Sequence, residues 1–293
     1  MAGWVLGVVG GSGLYEIEGL TDPRWTRIDS PFGAPSDELL IGDLEGVRLV
    51  FLPRHGRGHP LPPSDINARA NIDALKRAGC TDIISLSAAG SLREALWPGS
   101  FVVVDQFIDR TFARAASFFG PGLAAHVSVA EPVCPRLSAF AAAAGRAAGA
   151  RVVEGGTYLA MEGPQFSTKA ESELYRSWGC DVIGMTAMPE AKLAREAELP
   201  YATVAMVTDY DCWRDVHVEV GHVLEVLHAN AETAHALLRH LVQALPAERP
   251  PSPIDTALDG AIITAPAARD PAMIEKLAAI ASRALGLPQA APT

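Results

Sequence analysis

Residues 203–207 read Thr-Val-Ala-Met-Val, an apolar and partly β-branched run that stops on Thr208, Asp209, Tyr210 and Asp211. A run of this kind is expected as a central strand covered on both faces. That requirement calls for layers above and below one sheet, as in α/β architectures. In extended chain, residues two apart share a face, so Asp209 and Asp211 are expected side by side. Ligands of open α/β sheets sit outside the carboxyl ends of the strands. A carboxylate there can accept a hydrogen bond from an exocyclic amine and, when partly desolvated, carry a proton to a ring nitrogen. The alternative is that the two acids only cap the turn or helix that follows.

The rest of the chain repeats this alternation. Short apolar segments at 4–9, 47–52, 82–87, 101–104, 156–161 and 181–185 are expected as strands. Helical patterns are expected at 66–78, 135–149, after Thr168, at 190–197 and at 221–245. Thr168 with Glu171 has the capping-box interval. The stripe Val223, Leu224, Leu227, Ala231, Ala234, Leu238, Leu241 marks an amphipathic helix. Residues 111–134 lack periodicity and carry His126; a loop of that length in a compact domain implies a function. Residues 246–256 are Pro-rich, and 257–287 hold a strand-like piece at 261–264 and a helix at 273–285. With no repeat and no break in composition, the expectation is a single α/β domain with a central mixed β-sheet flanked by helices.

Several strands end on loops suited to anions. Gly10-Gly11-Ser12-Gly13 follows the first strand and adds a hydroxyl to a permissive backbone; it lacks the GxGxxG spacing, and a plain tight turn is the other reading. Arg54, His55, Arg57 and His59 crowd a Gly-rich loop after 47–52. An anion would offset that concentration of cations, Arg offering a planar fork for phosphate; a solvated basic loop is the alternative. Residues 88–92, Ala-Ala-Gly-Ser-Leu, are expected as a small-residue turn that presents N–H groups.

The formal charge of −10 argues against a nucleic-acid partner and against binding to an anionic membrane surface. No apolar run approaches the roughly 18 residues of a membrane span, and the first residues do not have the pattern of a secretory signal. Cys80, Cys134, Cys180 and Cys212 form no CxxC pair and no metal-ligand spacing. Free thiols in a reducing compartment are expected, hence a cytoplasmic protein.

Taken together, Gly10-Gly-Ser-Gly-Leu14, Pro53-Arg-His-Gly56, Asn71 with Gly79-Cys80, Ala88-Ala-Gly-Ser-Leu-Arg93, Asp105-Gln-Phe-Ile-Asp-Arg-Thr111, Met161-Glu-Gly-Pro-Gln-Phe-Ser167, Gly184-Met-Thr186 and Thr208-Asp-Tyr-Asp-Cys-Trp213 resemble the methylthioadenosine phosphorylase family. That family is the trimeric branch related to the purine nucleoside phosphorylases. The resemblance spans about residues 4–245. It implies a phosphorylase/hydrolase-like fold, with residues 1–245 as the nucleoside phosphorylase domain and 246–293 as a C-terminal extension packed on it.

The resemblance further implies that phosphate attacks C1′ of a nucleoside and the purine leaves, with no metal or organic cofactor. Ser12, Arg54, His55, Ser87, the N–H of Ala88 and Thr186 would bind phosphate; Ser87 stands where threonine is expected and keeps the hydroxyl. Met185 would lie under the ribose, Phe166 on the purine, and Tyr210 beside it. Ser167 would shape the ribose side. His126 would complete the 5′ end of a neighbouring subunit's site, which implies a homotrimer. Asp209 would act near N7, burial raising its pKa, and with Asp211 would favour a 6-amino purine. Val220, in place of a histidine, would favour a 5′-methylthio group over a hydroxyl, unless His222 occupies that position. The alternatives are a phosphorylase of 5′-deoxyadenosine, adenosine or 6-oxopurine nucleosides, and a non-catalytic nucleoside-binding protein.

Overall fold

The computed structural model describes residues 3–11, 13–15, 17–214 and 220–288, with the side chains of 220–224 outside the description. In chain order the elements are β1 (Val5–Gly10), β2 (Thr21–Thr26), β3 (Leu39–Leu44), β4 (Val47–Pro53), α1 (Ala68–Arg77), β5 (Asp82–Ser91), β6 (Ser100–Val103), β7 (Gln106–Arg110), α2 (Pro135–Ala147), β8 (Arg151–Glu154), β9 (Thr157–Met161), α3 (Lys169–Ser177), β10 (Val182–Gly184), α4 (Ala187–Glu196), β11 (Tyr201–Asp209), α5 (Val220–Ala244), α6 (Pro271–Lys276) and α7 (Ala278–Leu285).

All the strands join one mixed sheet organised on β5. Parallel pairing links β4 to β1, β1 to β5 and β5 to β11, so the carboxyl ends of four strands lie along one edge. Along β11 the side chains alternate between two apolar layers, as a period of two requires. Ala202, Val204 and Met206 pack with α2 and α5, and Tyr201, Ala205 and Val207 pack with α1, α4 and α7. The apolar run thus has its cause in burial on both faces.

β5 is longer than the sequence pattern indicated. Residues 88–91, expected as a turn, continue the strand because Ala88 and Ala89 pair with Met206 and Val207 of β11, and Gly90 and Ser91 pair with β10. The β1 side of β5 is paired only as far as Ser85, and β10 takes up that side at Gly90. Between them the ladder is open. This gap, four residues from Leu86 to Ala89, is the origin of the site.

The other departures from expectation are local. β2, β3, β7 and β8 were not legible as strands. Residues 273–285 form two short helices, α6 and α7, in place of one. The strand-like piece at 261–264 makes a single bridge, Ile262 to Ala125. Residues 246–288 lie across both apolar layers: Ile254 joins the α2/α5 side, and Leu258, Leu277 and Ile280 join the other. Arg249 pairs with Asp82 and, at 2.7 Å, with Asp255. This segment also holds the long loop. The amide of His126 donates to the Ala261 carbonyl at 2.9 Å, and that of Ala124 to the Thr264 hydroxyl at 2.8 Å.

Candidate active site

Two strands bring partners into the gap. β10 runs antiparallel to β5 with Ile183 opposite Gly90; the same register continued carries Thr186 to Ser87, and their hydroxyls lie 3.3 Å apart. From β9, the Tyr158 hydroxyl reaches Ser87 at 3.3 Å. Only glycine fits at Gly184, because a Cβ would come within 1.8 Å of that hydroxyl. Ala88 is exposed, so the open backbone edge of β5 faces solvent beside these hydroxyls.

Arg54, just past β4, plugs the inner end of the gap. Its Nη1 donates to the Leu86 carbonyl at 3.2 Å and its Nη2 to the Val9 carbonyl at 3.4 Å. The residue is 2% exposed. Nε and Nη2 bind Glu190 at 3.0 and 3.2 Å, and Nη2 also donates to Ser85 at 2.6 Å. Glu190 accepts further bonds from Ser85 at 2.8 Å and from the Tyr201 hydroxyl at 2.7 Å. The sequence reading gave this guanidinium to phosphate alone; the fold engages most of its donors internally.

His55 follows. Its Nδ1 lies 2.9 Å from the Leu61 carbonyl. A carbonyl can only accept, so Nδ1 carries the proton, and in the neutral ring Nε2 is an acceptor. Burial lowers the ring's pKa most; the Leu61 carbonyl opposes, the Arg54 charge lowers it further, and the result is about 4. His59 stacks on it with centroids 4.0 Å apart. Ser12 lies outside the described residues.

At the far end of the gap stands the tip of β11. A bulge follows Val207, whose carbonyl accepts from Asn230 of α5 at 3.1 Å. Asp209 accepts from the Thr208 hydroxyl at 2.7 Å and from the Asp211 amide at 2.8 Å. Asp211 has φ of 50°. The acids therefore share an Asx-type turn, not an extended strand as the spacing suggested, and the capping alternative describes the local structure correctly. They still converge: a Cβ on Gly90 would lie 3.1 Å from Asp209 Oδ1 and 3.3 Å from Asp211 Cβ.

Burial pushes the Asp211 carboxyl up. The Ser172 hydroxyl, the Cys212 amide and the Ser167 hydroxyl offset this in part, and the Asp209 charge adds to it. Asp211 Oδ2 is buried with no hydrogen-bond partner among the described residues. Ser167 is itself buried, while Phe166 before it is 47% exposed. Tyr210 packs edge-on against Trp213 at 5.7 Å, and Arg214 lies 3.9 Å over its ring. Trp213 Nε1 donates to the Ser91 carbonyl at 2.8 Å, which anchors the turn to β5.

Between the two ends lies Met185, at the end of β10. Gly163 stands so close that a Cβ there would lie 2.4 Å from its sulfur. Arg114 ties these segments together. It donates to the carbonyls of Met185, Met188 and Glu162 and pairs with the Glu162 carboxylate at 3.1 Å. Burial alone would raise the Glu162 carboxyl. Ser64, the amides of Phe112 and Ala113, and Arg114 outweigh that and hold it at about 2. His126 is exposed, on the loop pinned by residues 261–264. Val220 begins α5, but its side chain and that of His222 lie outside the description, as does His217.

Sequence reasoning missed Glu190, Tyr158, Tyr201, Arg114 and Glu162. Glu190 had one signal, an acid in an otherwise apolar helix start just after Thr186. Arg114 had none, lying in aperiodic chain. Among the described residues no group of His, Cys, Asp and Glu side chains is arranged to hold a metal ion, and no helix is long and apolar enough to cross a membrane.

The α/β fold thus carries a hydroxyl-lined opening in a parallel ladder, with a buried Arg–Glu pair at one end and two carboxylates at the other. Residues 5–243 match the model of the phosphorylase superfamily, and the chain belongs to that superfamily. Within it, the chain is similar to the S-methyl-5′-thioadenosine phosphorylase of Cereibacter sphaeroides, 60% identical over 96% of this chain and 98% of the relative. The protein of that name from Rhodospirillum rubrum is 59% identical over 96% and 97%. Among solved structures, a methylthioadenosine phosphorylase from an antarctic soil metagenomic library superposes with a TM-score of 0.90 at 44% identity, over 96% of this chain and 99% of that one. The methylthioadenosine phosphorylase of Schistosoma mansoni in complex with tubercidin gives 0.78 at 37% identity, over 84% and 93%.

Proposed function

We propose that this protein phosphorolyses S-methyl-5′-thioadenosine to adenine and 5-methylthioribose 1-phosphate. The observation that carries the reading is the juxtaposition along β5. Ser87 and Thr186 hydroxyls meet at one end of the gap, and at Gly90, three residues on, a Cβ would lie 3.1 Å from Asp209 and 3.3 Å from Asp211. Three residues of strand span about 10 Å, a distance a ribose bridges. The names of the similar proteins support the same activity.

In this reading phosphate is held by Ser12, Ser87, Thr186, the Ala88 N–H, Arg54 and His55. One phosphate oxygen forms the bond to C1′ as the C1′–N9 bond breaks, and the bond pair passes to the purine. Asp209 delivers or relays a proton to N7. The phosphate hydroxyl hydrogen-bonds to the acceptor Nε2 of His55, and its proton passes to solvent as the ester forms, the buried ring staying neutral. Bound phosphate also stabilises the cation that develops on the ribose. Met185 lies beneath the sugar, and Phe166 and Tyr210 flank the base. Asp211 Oδ2, otherwise unpaired, accepts from the 6-amino group; a 6-oxo group facing it would cost about 1–3 kcal/mol. Ser167 and Val220 tune the ribose and 5′ side. His126 completes a neighbour's site in a homotrimer, and the enzyme works in the cytoplasm in purine salvage, phosphate being a co-substrate and no cofactor taking part. Residues 246–293 act as an extension of one domain, ordering the loop of His126.

Incubating the protein with a panel of nucleosides, with and without phosphate, tests this. Adenine released from methylthioadenosine only when phosphate is present is the expected result. Release without phosphate would mean a hydrolase, and binding without release a nucleoside-binding protein. Equal efficiency on adenosine would mean that the 5′ end is lined by a polar group such as His222, not by Val220.

A further inference from the structure

The phosphate end holds a buried carboxylate that the chemistry above does not use. Glu190 lies in the first helical turn after Met188, whose backbone is extended. Its two oxygens take four groups: Arg54 Nε, Arg54 Nη2, Ser85 Oγ and Tyr201 Oη. Both members of the pair are almost fully buried. A lone carboxylate in that position would be strongly disfavoured, and so would a lone guanidinium.

We propose that Glu190 is a positioning residue which aims Arg54 into the β5 gap while cancelling its charge, so that phosphate is held by dipoles and keeps its own charge for the reaction. This rests on the phosphate reading above. The reasoning is electrostatic. An unpaired guanidinium beside phosphate would bind it tightly in a partly dry site. The same field would hold the anion equally in the ground state and oppose the developing ribose cation, so affinity would rise without rate. Paired at 3.0 Å, Arg54 and Glu190 act outward as a dipole. The remaining ligands of the gap are hydroxyls, backbone N–H and a neutral imidazole, none of which adds net charge. The arrangement trades affinity for reactivity.

The test is calorimetric titration of inorganic phosphate and of sulfate, a non-reacting dianion, into the intact protein, alongside steady-state kinetics. Glu190→Gln should tighten both anions by about tenfold or more, lower KM for phosphate, and reduce kcat by about a hundredfold. Tyr201→Phe, which removes a hydrogen bond and no charge, should change anion affinity by less than about threefold. Weaker anion binding together with lower kcat in Glu190→Gln, or no change in affinity, would overturn the proposal. If that variant does not fold, the wild type still decides. A neutral site predicts sulfate affinity that stays level or rises with sodium chloride in a protein of formal charge −10; a steep fall refutes it. Failure of the phosphate reading looks different: wild type would bind neither anion, or Thr186→Val would leave their binding unchanged.

Discussion

Arg54 and Asp211 are both buried polar residues of one pocket, yet their surroundings differ. Arg54 meets Glu190, Ser85 and two strand carbonyls, so most of its donors are satisfied within the protein. Asp211 sits at positive φ with Oδ2 unpaired. Around Arg54 the groups come from β1, β4, β5, α4 and β11, all packed in the core. Around Asp211 they come from the turn itself, from Ser167 and from Ser172 of α3. The Arg54 end is therefore largely satisfied within the protein, whereas the Asp211 end keeps an unpaired acceptor. Core position makes the first rigid and costly to disturb; position on a strand tip makes the second cheap to alter in stability and expensive in specificity.

That contrast can be broken by mutation. Asp209→Asn should cut turnover of methylthioadenosine by about 10²–10⁴-fold, the usual range for a general acid–base group, while the thermal midpoint stays within a few degrees. Turnover near wild type would remove Asp209 from the chemistry. Arg54→Met should do the reverse in kind, destabilising the fold by about 3–5 kcal/mol by leaving Glu190 buried and unpaired. Denaturant unfolding reads this directly, and a loss comparable to a surface substitution would show that water or rearrangement relieves the carboxylate.

The join between the two ends gives an intermediate effect with a pH signature. Glu162 titrates at about 2, below its ordinary 4.5, so its contribution to stability is present above the ordinary value and is lost as pH falls through about 2. Glu162→Gln should lower the thermal midpoint at neutral pH, and the gap from wild type should narrow steadily below about pH 4.5. A gap independent of pH would mean that packing, not charge, is what the residue supplies. The smallest effect is expected at Thr168, whose capping box with Glu171 starts α3 just after Ser167. Thr168→Ala should cost about 1 kcal/mol, raising KM for the nucleoside and leaving that for phosphate unchanged. Equal changes in both would mean that the ends are mechanically coupled.

Much of this was readable from local pattern. The run at 203–207, the Thr168 helix start and the long helix expected at 221–245 all reappear as elements, since burial period and capping act over a few residues. The acids at 209 and 211 were marked by lying at a strand end, whereas the hydroxyls of Ser87 and Thr186 entered only through the family resemblance. What misled was also local: small residues at 88–91 resembled a turn, and two acids in strand-like spacing suggested shared orientation. Glu190 and Arg114 could not be placed, because their partners are 136 and 48 residues away in the chain.

The sequence by itself determined which segments are strands buried on both faces and which polar groups terminate them, since side-chain periodicity against an apolar layer is a property of neighbouring residues. Only the tertiary structure decided that β1 leaves β5 after Ser85 and β10 joins it at Gly90. That interval creates the site, and it depends on the register between strands far apart in the chain. Register is set by how whole layers pack, a sum over distant contacts that no local pattern encodes.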